Sequence, residues 1–125
     1  MSGQLQAVLQ GMFDALGRND PETMLGHLAE ETQGVDELSR EWMRGREVLE
    51  RYIRGMITQV GDVQSEIRDV HEVIWDDTGL MTFWLEQDYT LGGERHHISA
   101  PSSAVFRRED GEWRVVVFHS IPLPD

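Results

Sequence analysis

No cysteine occurs in the 125 residues of this chain, so disulfides, thiolate zinc sites and a cysteine nucleophile are excluded. A thiol-free composition fits a cytoplasmic protein. Cations are scarce: 11 basic residues stand against 23 acidic ones, a net charge of −12. Nucleic acid and anionic membrane surfaces are bound through basic patches, so neither is an expected partner. No apolar run approaches the ~20 residues of a membrane-spanning helix. The opening MSGQLQAVLQ has neither a basic nor an apolar leader segment, so no secretory signal is expected. Repeats, low-complexity tracts and linkers are missing too. The length suits a single domain over residues 1–125, with room for a real core.

What is present is two periodicities in succession. Leu5, Val8, Leu9, Met12, Phe13 and Leu16 recur at helical spacing, and Gly17 ends the pattern. Asp20 followed by Pro21 predicts an N-cap and a second, short helix carrying Met24, Leu25 and Leu28. The polar stretch ETQGVDELSRE is expected to be loop, with Trp42 and Met43 breaking it. From about Arg46 a third helix is predicted, with Val48, Leu49, Tyr52, Ile53, Met56 and Ile57 on one face. After Gly61 the period changes to 2. Strands are expected over Ile67–Trp75, Leu80–Leu91, Arg95–Arg108 and Trp113–Ile121, separated by DDTG, Gly92-Gly93 and EDG turns. Proline cannot donate to a ladder, so Pro101 suggests a bulge or an edge bend. The expected class is α+β, three N-terminal helices packed on a curved four-strand antiparallel sheet.

Three segments carry a family likeness: RNDPETMLGHLAEE after the first helix, W42-M-R-G45 before the third, and the closing VFRREDGEWRVVVFHSIPLP. With this element order, the chain resembles the SnoaL-like branch of the nuclear transport factor 2-like superfamily. The resemblance implies a cone-shaped α+β barrel with a pocket at its open end, and commonly a dimer formed sheet against sheet. Relatives include isomerases, cyclases, hydrolases, small-molecule binders and oligomerisation modules. By likeness to the ketosteroid isomerase branch, the base position falls on Asp36, while the oxyanion-hole tyrosine position falls on Met12, which cannot donate a hydrogen bond. The related kinase association domain carries pocket arginines where this chain has Leu85 and Ala104, so a carboxylate-binding pocket of that design is not expected.

The candidate site follows. His119 shares a strand face with Val115 and Val117, opposite Val116, Phe118 and Ser120. It enters the pocket, lies at a dimer face, or bonds a backbone carbonyl and orients the sheet end. If the protein is catalytic, His119 or Asp36 would move a proton and Tyr52 would hydrogen-bond a developing oxyanion. Met12, Phe13, Trp42, Met56, Leu85 and Phe106 are the expected ligand-binding wall. Met81, Phe83, Leu85, Gln87 and Tyr89 are expected to face inward, with Trp84 and Glu86 outward at a homodimer face. His96 and His97 are adjacent on a strand and leave opposite faces, and no histidine spacing suits a metal, so neither metal nor cofactor is expected. Two functions stay open. One is binding of a small hydrophobic or weakly polar molecule, with isomerase, cyclase or hydrolase chemistry. The other is a non-catalytic binding or oligomerisation module.

Overall fold

The computed structural model describes residues 3–124. Helix α1 spans Gln4–Gly17 and buries Leu5, Leu9, Met12, Phe13 and Ala15, the stripe that helical spacing places on one side. Its first turn is capped from far away in sequence. The Glu72 carboxylate accepts from the Leu5 and Gln6 amides at 3.1 and 3.0 Å, satisfying donors that no helix can satisfy internally. Helix α2, Pro21–Gly26, starts at Asp20, whose side chain accepts from the Thr23 amide at 3.2 Å and the Thr23 hydroxyl at 2.7 Å. It ends at Gly26, so Leu28 belongs to a strand rather than to this helix.

That strand, β1 (Leu28–Asp36), occupies most of the stretch expected to be loop, and β2 (Met43–Arg44) follows it. Helix α3 is Arg46–Met56, burying Leu49 and Ile53. The three helices are therefore not consecutive. Next come β3 (Val60–Trp75), β4 (Thr78–Leu91), β5 (Glu94–Glu109) and β6 (Glu112–Ser120). They form one sheet of six strands rather than four, in the order β2-β1-β6-β5-β4-β3. The expected antiparallel meander is its β3–β6 portion. The two additional strands attach beside β6, where β1 runs parallel to it and pairs Asp36 with Ser120.

Pro101 causes no bulge. Strands β4 and β5 pair without a break from Thr78–Arg107 to Leu91–Glu94, with Trp84 opposite Pro101. On the other side β6 ends at Ser120, opposite Ser102, so the ladder beside Pro101 is one-sided and a missing donor is tolerated. The irregularity lies elsewhere. Val105 pairs with Val117 but Phe106 pairs with Val115, which leaves Val116 as one extra residue in β6. Beyond it the side-chain parity reverses. Val115 is fully buried on one side of the bulge, and Phe118 and Ser120 point inward on the other.

The edge strand β3 carries two further irregularities, with Asp62 and Asp69 at φ 49° and 55°. Bulges and charges of this kind keep an exposed edge from pairing with another chain. Helix α1 lies against the sheet so closely that a Cβ on Gly79 would come within 2.8 Å of Leu5 Cδ1. The core gathers between α1, α3 and the inner faces of β4, β5 and β6, around Leu9, Phe13, Ile53, Met81, Phe83 and Phe106.

Candidate functional site

A cavity opens between α1, α3 and the inner sheet face. Its volume is about 90 Å³, several times what one water needs. Most of its wall is apolar, including Met12, Phe13, Met56, Leu85, Ile98 and Phe118. Its ionisable side chains are Asp36, Glu37, Tyr52 and Tyr89; among the described residues that line it there is no arginine, lysine or histidine.

Those four form the polar end. Asp36 closes β1, and the turn after it folds back on the carboxylate. Oδ1 accepts from the Leu38 amide at 3.0 Å, the Ser39 amide at 2.9 Å and the Tyr52 hydroxyl at 2.8 Å. Oδ2 lies 3.0 Å from the same phenol and receives no other bond among the described residues. One oxygen of Asp36 is thus saturated and the other retains accepting capacity. Tyr52 comes from α3, and its only proton is directed at this carboxylate. Burial, then the charge and hydrogen bond of Asp36, push the Tyr52 phenol far above its ordinary range.

Glu37 and Tyr89 make the neighbouring pair. Burial holds the Glu37 carboxyl above its usual range, against the opposing hydrogen bond from Tyr89; the charge of Asp36 raises it further and His96 lowers it. Tyr89 is pushed up to about 12, by burial first and then by the Glu37 charge and hydrogen bond. Behind it His96 stacks on the Tyr89 ring at 5.3 Å between centroids.

Two serine hydroxyls pair beside this end, where Ser120 lies opposite Asp36. The Ser102 Oγ lies 3.1 Å from the Ala100 carbonyl and 2.8 Å from the Ser120 Oγ, and Ser120 lines the cavity. Ser102 has one proton for these two acceptors. If it serves Ala100, Ser120 donates to Ser102; if it serves Ser120, the Ser120 proton is free. Thr32, on β1, is 0 % exposed and lines the cavity, and its Oγ1 has no hydrogen-bond partner among the described residues.

The expected site residues are placed as follows. Asp36 and Tyr52 are hydrogen-bonded at the cavity, and Met12, Phe13, Met56 and Leu85 line it. His119 does not line it. The Val116 bulge sends Ser120 inward and leaves His119 on the opposite face, with its ring 6.5 Å from that of Trp42. Trp42 is 43 % exposed, with the Arg44 guanidinium 5.9 Å from its ring. Phe106 is wholly buried in the core and does not reach the cavity wall. His97 lies on the outer face, bonded to Asp88 at 2.8 Å and Glu86 at 3.2 Å. No group of three histidine, aspartate or glutamate side chains among the described residues is arranged to hold a metal.

Sequence reasoning did not single out Glu37, Thr32 or Ser120 as site residues. Thr32 carries no signal in sequence, because the polar stretch around it lacks strand patterning and its order comes from pairing with β6. Glu37 had one usable signal, its position beside Asp36 at the end of a polar segment.

Comparison with known proteins gives the fold a context. The family model for the SnoaL-like domain matches residues 5–124. No curated protein matches. Among solved structures, a candidate dehydratase of the NTF2-like family from Streptomyces avermitilis superimposes with TM-score 0.88 at 20% identity, over 98% of this chain and 96% of that one. A candidate calcium/calmodulin-dependent protein kinase II association domain from Xanthomonas campestris gives 0.85 at 20% identity, over 97% and 86%. A candidate aromatic ring hydroxylase from Novosphingobium aromaticivorans gives 0.89 at 11% identity, over 98% and 88%. At such identities the likeness establishes the fold alone.

Proposed function

The chain belongs to the SnoaL-like domain family, and from that premise we propose that it binds a small, largely apolar organic molecule in the cavity, with Asp36 as the principal polar contact. The observation that carries this reading is the Asp36–Tyr52 pair at the polar end of a mostly apolar wall. A few convergent polar groups in an apolar recess are the usual make-up of a small-molecule site. Oδ2 of Asp36 is the atom with capacity left for a ligand. Binding is supported better than isomerase, cyclase or hydrolase turnover. An oxyanion needs a donor aimed at it, and the Tyr52 proton is already committed to Asp36.

The test is methyl NMR titration with 4-phenylbutanol. Saturable one-to-one shifts of the Leu85, Ile53 and Met56 methyl signals are expected, and Met56→Trp, which fills the cavity, should remove them. Shifts confined to the outer surface, or none, would sink the reading.

A second copy on the outer sheet face is a further reading with its own support. Trp84 and Pro101 form one half-buried apolar patch on the outer face and Val105 and Val117 a second, with Thr82, Ser103 and His119 in the row between them.

A further inference from the structure

The cavity's charge pattern specifies its ligand more closely than its greasiness does. We infer that the cavity takes an elongated arylalkyl amine, whose ammonium group sits at Asp36 and Glu37 and whose far end carries a hydroxyl for Thr32. This rests on the ligand-binding reading above and deepens it.

Two independent observations carry it. The first is the sign of the polar end. Two carboxyl groups and two phenols meet there, and no cationic side chain among the described lining residues offsets them. An anionic head group would face like charges at this half-buried end, where repulsion is only partly screened. A neutral head group would donate one hydrogen bond to Oδ2 of Asp36 and bring no positive charge to the two carboxyl groups. An ammonium donates up to three hydrogen bonds and matches Oδ2 of Asp36 and the Glu37 carboxylate together. The rest of the molecule agrees: at a net −12 its field concentrates cations and depletes anions.

The second observation is Thr32. A buried hydroxyl without a partner is unusual in a native protein and costs stability, so it calls for an explanation. Thr32 and Asp36 lie on the same strand and line the same cavity. Pairing is regular from Gln33 to Asp36 and irregular before it, so the two are at most roughly 13 Å apart along the strand. An extended aryl-butyl-amine with a para hydroxyl is about 10 Å from nitrogen to oxygen, and a hydrogen bond of about 2.8 Å at each end brings both residues within its reach.

The experiment compares matched probes by calorimetry and methyl NMR at neutral pH: 4-phenylbutylamine, 4-phenylbutanol and 4-phenylbutanoate, then 4-(4-hydroxyphenyl)butylamine. The amine is expected to bind about ten-fold tighter than the alcohol, the order of one charge-assisted contact, with the carboxylate weakest. Glu37→Gln should shrink the amine-over-alcohol ratio. The para hydroxyl should tighten binding several-fold in the native chain and not at all in Thr32→Val. If all three probes reach the cavity but the alcohol or carboxylate binds as tightly as the amine, the charge inference is overturned and the ligand site stands. If the hydroxyl gains as much in Thr32→Val as in the native chain, the far-end assignment is overturned. If no probe moves the cavity methyls, both the inference and the ligand-binding reading fall.

Discussion

Single side chains in this cavity set stability against function. Thr32 is the clearest case, because its hydroxyl is desolvated and unbonded in the folded chain. Replacing it by the isosteric valine removes the unmet group and adds a buried methyl. Thr32→Val should therefore raise the unfolding free energy by about 1 kcal/mol, read from urea denaturation without ligand. A loss of stability would mean that the hydroxyl is bonded after all. Glu37 gives a pH-dependent counterpart. Its folded-state carboxyl is raised by burial, then by Asp36, with Tyr89 and His96 opposing. The folded chain therefore holds this proton to higher pH than the unfolded chain does. Stability from this residue is greatest at acidic pH and falls as pH rises from the ordinary glutamate range through the raised value. Glu37→Gln abolishes that dependence. Native and variant stabilities should converge in acid and separate above that range, with the variant the more stable. A pair of curves that stay parallel across the series would contradict the raised value.

At the scale of elements, the sequence was readable where local pattern and tertiary position agree. Helix α1 announced itself because Leu5, Leu9, Met12 and Phe13 repeat at helical spacing and all four are buried. Asp20-Pro21 marked the start of α2 through capping chemistry that needs no tertiary context. Strand β1 was hidden because Glu30, Glu31, Gly34 and Asp36 are poor strand formers, and its order comes from parallel pairing with the distant β6. The Val116 bulge was hidden for another reason. In VVVF both faces are apolar, so no alternation fixes the parity, and His119 and Ser120 exchange sides without a trace in composition. The α1 cap is equally non-local: Glu72 reaches the helix from β3. Glu72→Ala should cost about 1–2 kcal/mol, the scale of a lost N-cap with its dipole partner. Amide exchange should accelerate first in the opening turn of α1. Unchanged protection at Leu5 and Gln6 would show that solvent replaces the cap at no cost.

For the whole molecule, charge and shape pull against each other. No helix among the described residues is long and apolar enough to cross a membrane. The outer face of the meander instead presents Trp84, Pro101, Val105 and Val117, with the Arg68 guanidinium 5.4 Å from the Trp84 ring. Burial of that surface by a second copy would be driven by apolar area. Each copy carries −12, however, and bringing two together is opposed by their mutual repulsion. The repulsion reaches about 30 Å at an ionic strength of about 0.01 M and only about 8 Å at about 0.15 M. A dimer formed through this face should therefore tighten several-fold between these conditions, the reverse of an association held by opposite charges. Sedimentation velocity across that range reads the effect directly. Trp84→Glu should leave a monomer at both ends of it, because a carboxylate would then be desolvated within the interface. A chain that is monomeric throughout, or a dimer indifferent to Trp84→Glu, would remove the outer sheet face as the interface.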